Sequence, residues 1–181
     1  QCNSTMKLSK DNRVVQEPDN IGPKYRACFE HMRGVIMKIG VPMEPEGETR
    51  VAIVPGSMKK LMKSGFEVVV QKGAGINANH SDSEYTDAGA TIGNRDDVLS
   101  CEILISIRIP DVSELTKGQI VACVADPFRH PEKVQACIDG GITLLSMDMI
   151  PRRLSRAQSM DVNSSQDNLA GYKAVLLGAS H

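Results

Sequence analysis

From Val35 onward the chain alternates short apolar runs, rich in β-branched residues, with segments of helix length, and this alternation restricts the fold more than any other feature. The apolar runs read VIMKIGVP, FEVVVQ, EILISIRI, QIVACV and TLLSMDM. Between them lie PGSMKKLMKSG, a helical pattern over residues 82 to 89, and HPEKVQACIDGG. Pro55 suits a first helical turn and Gly65 a C-terminal stop. Strands that are apolar along their length are buried on both faces, and helix-length connections join parallel neighbours. The expected fold is therefore α/β, a mainly parallel sheet with helices on both faces. With 181 residues the chain can enclose one proper core and is short for two.

Residues 1 to 34 do not join this pattern. They are polar, contain Pro18 and Pro23 and lack sustained periodicity, so they read as a linker or leader with a short helix over 25 to 32. Lys plus Arg number 21 against 22 for Asp plus Glu, which leaves no bulk attraction to nucleic acid or an anionic membrane. Aromatic residues make up 3% and Trp is absent, against a stacking platform for single strands. The five cysteines, Cys2, Cys28, Cys101, Cys123 and Cys137, are odd in number and form no C-x-x-C pair, so no metal site is expected from them. They read as reduced thiols of an intracellular or matrix protein, several of them filling core positions. No apolar run approaches the ~20 residues of a membrane span, and the N-terminus lacks a signal-type apolar region.

Three motifs have ordinary readings beside their functional ones. KGAGINA, residues 72 to 78, has closely spaced glycines after a strand but no third glycine at the dinucleotide-binding spacing, and reads as a turn. Arg50 in PEGETRVAIVP can grip a carboxylate with two parallel hydrogen bonds, or form a structural ion pair with Glu46 or Glu48. His80 and His130 are single loop histidines without a patterned carboxylate or serine partner, which gives hydrolase chemistry no support.

The stretch PRRLSRAQSMDVNSSQDNLAGYKAV, from Pro151, is the least ordinary. Ser155 and Gln158 form S-x-x-Q, a capping-box pattern. A helix starting at Ser155 places Gln158, Asp161, Ser164 and Ser165 on one face. Residues 169 to 179 are almost continuously apolar and are expected to be buried. In one account Gln158 caps, Asp161 complements the positive helix end and the serines are solvated. In the other, an amide, a carboxylate and hydroxyls flanked by Arg152, Arg153 and Arg156 hold a planar carboxamide through complementary donors and acceptors.

This stretch resembles the corresponding segment of the NAD(H)-binding component of proton-translocating NAD(P)+ transhydrogenases. The likeness runs back through MKIGVPMEPEGETRVAIVPGSMKKLMKSGFEVVVQKGAGINANHSDSEYTDAGATI and covers residues 37 to 178. It implies a Rossmann-like (flavodoxin-like) domain ending in a long C-terminal helix, the first of two domains with NAD(H) in the cleft between them. Hydride would pass from NADH to NADP+ held on a separate component. Asp161, Ser164 and one of Arg152 and Arg153 would hold the nicotinamide carboxamide, and Gln158 would face the partner nucleotide. Such a reaction needs no protein acid or base, because holding the two nicotinamides at ~3 to 3.5 Å supplies the acceleration. The resemblance further implies a homodimer, bound peripherally through NADP(H)-binding and membrane components to the cytosolic or matrix face of an energy-transducing membrane.

Two departures stand out. The family has one residue fewer between Pro and Ser than PRRLS, so counting from Gln158 selects Arg153 and counting from Pro151 selects Arg152. The chain also ends at His181, before the family's second, nucleotide-gripping domain, so residues 35 to 181 are expected to be the first domain, inactive alone. Residues 1 to 34 would suit a tether in a fused polypeptide. A related reading, the N-terminal domain of an alanine dehydrogenase, needs a lysine and a histidine; the lysine position holds Arg108 and the histidine position falls near Asp126. The reading from a different class is a non-catalytic interaction or assembly domain of the same fold.

Overall fold

A computed structural model describes residues 37 to 151 and 153 to 180. The elements run β1 (Lys38–Val41), α1 (Pro55–Lys63), β2 (Glu67–Gln71), α2 (Asp82–Asp87), β3 (Thr91–Gly93), α3 (Arg95–Leu99), β4 (Ile103–Ile105), β5 (Ile120–Cys123), α4 (Pro131–Gly140), β6 (Thr143–Ser146) and α5 (Val162–Ala179). All five strand pairs are parallel, in the order β3-β2-β1-β4-β5-β6. This is the Rossmann-like, doubly wound α/β arrangement, and the order reverses between β1 and β4.

The strands alternate their side chains between two cores. Ile39, Val41, Val68 and Val70 pack with Met58 of α1 and Tyr85 of α2 on one face. Val69 turns to the other, where Val98 and Leu99 of α3, Leu104, Val121, Cys123 and Cys137 of α4 are gathered. Burying a side chain such as Leu104 or Met58, both 0% exposed, stabilises the fold by ~1.5 to 3 kcal/mol. Gly40 lets α3 approach the sheet: a Cβ there would stand 2.4 Å from the Val98 carbonyl oxygen and 2.8 Å from Leu104 Cδ2. Among the described residues, no buried side-chain nitrogen or oxygen lacks a hydrogen-bond partner. Tyr85 donates its hydroxyl proton to the Ile53 carbonyl at 2.9 Å. Gln119 donates to the carbonyls of Leu99 and Cys101 at 2.6 and 2.8 Å.

The helices over residues 82 to 89 and in HPEKVQACIDGG form close to where the pattern places them, with Gly141 in the left-handed conformation after α4. Two elements, β3 and α3, have no counterpart in the apolar pattern. β3 is a three-residue edge strand, and α3 is a short helix held by a reciprocal box in which Asp97 N donates to Asn94 Oδ1 and Asn94 N to Asp97 Oδ2, both at 2.9 Å. Cys101, Cys123 and Cys137 are free and buried, and burial pushes the Cys123 thiol up to about 12. The linker expected over residues 1 to 34, with Cys2 and Cys28, lies outside the described residues, as does Arg152.

The C-terminal helix corrects two expectations. It begins at Val162 rather than Ser155, and its apolar half is not buried within the described residues: Leu169, Tyr172, Val175 and Leu176 are 63 to 72% exposed. Apolar side chains occur on every side of its second half, so it has no single stripe to lay against the sheet. No helix among the described residues is long and apolar enough to cross a membrane.

Candidate functional site

The polar cluster that the sequence places on a helix face is built as a turn, a 3-10 segment and a helix cap. Leu154 O accepts from Ala157 N at 2.9 Å and from Gln158 N at 3.2 Å, closing a turn whose pivot, Ala157, is 5% exposed. A 3-10 segment follows over Gln158–Met160. The Ser155–Gln158 capping box is therefore not formed. Asp161 takes the cap instead, in extended backbone conformation, because its carboxylate can accept twice from one residue. Oδ1 accepts from Ser164 N at 3.0 Å and Oδ2 from Ser164 Oγ at 2.5 Å.

Two further contacts anchor the first turns of α5. Asn163 Nδ2 donates to the Asp148 carbonyl at 3.0 Å, and Gln166 Oε1 accepts from Arg50 Nη1 at 2.9 Å. Asp148 is itself fixed, its carboxylate accepting from Ala125 N, Asp126 N and Ser146 Oγ at 3.1, 2.9 and 2.6 Å. Partial burial raises its proton affinity, but the Ser146 hydroxyl and backbone N–H groups outweigh that and leave its carboxyl below the ordinary value. Sequence reasoning misses Asn163 and Gln166, since no local signal marks bonds to such distant partners.

Arg50 lies where the chain leaves β1, near the reversal of strand order. Its Nε and Nη2 donate to Glu48 Oε1 and Oε2, both at 2.7 Å, and Arg108 Nε donates to Glu48 Oε2 at 3.3 Å. The ion-pair reading with Glu48 is the one realised. The Arg50 hydrogen bond, helped by both arginine charges against partial burial, holds the Glu48 carboxyl down at about 2. Behind it Glu44 is buried, its carboxylate accepting from Ile107 N at 2.5 Å and Arg108 N at 3.0 Å. Burial pushes the Glu44 carboxyl up despite these bonds.

The remaining candidates separate from this cluster. Gly75 is packed, since a Cβ there would stand 2.6 Å from Tyr85 Cε2 and 2.8 Å from the His80 carbonyl oxygen. The glycine loop is thus a closed turn and no phosphate cradle. His80, expected to lack a carboxylate partner, has one: Nδ1 lies 3.1 Å from Glu84 Oε2, one helical turn away. His130 Nδ1 similarly lies 3.3 Å from Glu132 Oε1. Asp126, at φ 45°, pairs with Arg129 at 3.6 Å. No group of three or more histidine, cysteine, aspartate or glutamate side chains among the described residues can hold a metal ion.

Gln158, Ser164 and Arg153 are exposed and Asp161 is half-buried, in one continuous stretch of the surface chain. A carboxamide carries one acceptor and two donors, and a carboxylate, a hydroxyl, an amide and a guanidinium together would offer it both kinds of group. The donor set fits the nicotinamide end of a dinucleotide. For the pyrophosphate, the packed glycine turn provides no matching cradle.

Known proteins share this architecture. Residues 40 to 170 match the family model described as alanine dehydrogenase/PNT, N-terminal domain. The NAD(P) transhydrogenase subunit alpha of Cereibacter sphaeroides is 40% identical over 146 residues, covering 77% of this chain and 28% of that protein. The alanine dehydrogenase of Bacillus subtilis is 29% identical over 148 residues, covering 79% and 38%. Among solved structures, the transhydrogenase from Sinorhizobium meliloti superposes with a TM-score of 0.74 at 38% identity, covering 80% of this chain and 44% of that one. The chain thus spans less than half the length of these relatives. Folded as a doubly wound parallel sheet and matched along most of its length, the chain belongs to the alanine dehydrogenase/PNT N-terminal domain family.

Proposed function

We propose that this chain supplies the surface that orients the nicotinamide of NAD(H) in a proton-translocating transhydrogenase, as the first of two domains of the NAD(H)-binding component. The observation that carries the reading is the Asp161 cap, which holds a carboxylate and the Ser164 hydroxyl at fixed distance, directly after the turn that carries the exposed Gln158. NAD(H), when bound, supplies the hydride. Asp161 accepts from the carboxamide NH2, Arg153 or Arg152 donates to its oxygen, and Gln158 faces the partner's nucleotide. The acceleration comes from positioning.

NADP(H)-binding and membrane components are the partners, with a homodimer attached peripherally to the cytosolic or matrix face of the membrane. The greater identity to a transhydrogenase subunit than to an alanine dehydrogenase supports this choice. So does the engagement of Arg108, at the dehydrogenase lysine position, in an ion pair with Glu48.

Titration with NADH, followed by nucleotide fluorescence, tests the reading. The 181-residue chain binds very weakly, and a chain extended by the second domain binds clearly. Tight binding by the shorter chain overturns this account of where adenosine and pyrophosphate are held. In the extended, partner-reconstituted enzyme, Arg153→Ala lowers hydride transfer by roughly tenfold to hundredfold, the loss of one charge-assisted hydrogen bond at the transition state. Arg152→Ala is mild; the opposite ranking moves the role to Arg152, and two mild phenotypes remove both.

A further inference from the structure

The Asp161 cap is precise only as far as the first turns of α5 are held in place. Between residues 153 and 180 only Ala157 is buried among the described residues, so packing does not fix this segment. Among the described residues, side-chain bonds tie the first turns of α5 to the loop after β1 and to the turn after β6. One runs from Asn163 to the Asp148 carbonyl. The other runs from Arg50 to Gln166, across 116 residues of sequence.

Arg50 is well suited to such a tie. A lone arginine side chain has many rotamers, but Glu48 takes two of its N–H groups in parallel bonds of 2.7 Å and so sets the plane of the guanidinium. Glu48 is held in turn by Arg108 at 3.3 Å, in the loop that follows the neighbouring central strand β4. The third Arg50 nitrogen, Nη1, then points along a fixed direction to Gln166, two residues beyond Ser164. We propose that Arg50 is a positioning residue for the nicotinamide-facing surface: paired with Glu48, it holds Gln166 and so fixes the turn of α5 that carries Asp161 and Ser164. This rests on the function proposed above. Arg50 would act through Gln166 rather than on the nicotinamide itself. It transmits the rigidity of the sheet's central strands to the cap.

The test is a double-mutant cycle in the reconstituted full-length enzyme with Arg50→Ala, Gln166→Ala and both together. Each single substitution lowers hydride transfer by roughly tenfold, since even ~1 Å of misplacement costs up to a hundredfold. The loss falls in kcat rather than in the KM for NADH, and the double variant is no slower than the worse single one. A second readout needs no nucleotide: amide hydrogen exchange in residues 162 to 168 quickens to the same degree in both single variants, while exchange in β1 and β4 stays unchanged. Additive losses, or unchanged exchange in α5, overturn the proposal, as does a loss with Arg50→Ala that Gln166→Ala does not share. Asp161→Ala and Ser164→Ala separate the two levels. If they leave hydride transfer unaffected, the nicotinamide reading itself fails; if they lower it while the Arg50 and Gln166 variants do not, only the tie fails.

Discussion

The sheet and the C-terminal arm are stabilised by different means. From Lys38 to Ser146 the strands bury apolar side chains on both faces, and every buried side-chain polar atom among the described residues is bonded. Beyond residue 150 the described residues are ordered by a turn, a cap and side-chain ties that include those of Asn163 and Gln166, while the apolar half of α5 is exposed among the described residues. An α-helix satisfies most of its backbone internally, whereas a strand is incomplete without its neighbours. The sheet therefore carries the cooperative stability of the described residues, and the arm carries the polar cluster proposed to orient the nicotinamide.

The contrast is broken most severely by a core substitution. Leu104→Ala, at the centre of the sheet and fully buried, is expected to cost ~2 to 5 kcal/mol, read as a lower urea midpoint. A loss under ~1 kcal/mol would mean that the second core is not the cooperative unit.

A smaller effect tests the seam between the regions. The Glu48 carboxyl is held at about 2, below its ordinary 4.5, so its contribution is complete above pH 4.5 and fades as the pH falls from 4.5 towards 2. Glu48→Gln should cost about 1 to 2 kcal/mol at neutral pH, discounted because both guanidinium partners are exposed. Denaturation midpoints of the two proteins should converge as the pH approaches 2. A difference that stays constant down to that pH would show that the ion pair does not stabilise the fold.

The smallest expected effect lies in the arm. Leu176→Ser, on a side chain 64% exposed, should change the stability of this chain by less than about 0.5 kcal/mol. A loss above ~1 kcal/mol in the same urea titration would show that α5 folds back on the sheet in solution.

The same division explains what was legible in the sequence. Five of the six strands announce themselves as apolar runs because a doubly covered parallel sheet demands them. β3 does not, being three residues at the edge, yet α3 beside it carried a readable sign in Asn94-x-x-Asp97. In the arm, two cap patterns compete within a few residues. Pattern alone does not rank Ser155 with Gln158 against Asp161 with Ser164; the two bonds of the Asp161 carboxylate do. Nor does spacing disclose that Arg108 reaches Glu48 from 60 residues away, or that Arg50 meets Gln166, because strand order alone brings such residues together.

The reversal of strand order between β1 and β4 also has a meaning in time. The first core draws its buried residues from 39 to 90 and the second from 98 to 142, so the two follow one another along the chain. On the ribosome, β1, β2 and β3 can associate as soon as they emerge, since each pairs with its successor. The other edge of β1 must then wait, unpaired, until Ile103 and Leu104 have been synthesised. During that interval the nascent polypeptide exposes an apolar strand edge, the kind of surface that recruits chaperones or a second unfinished copy.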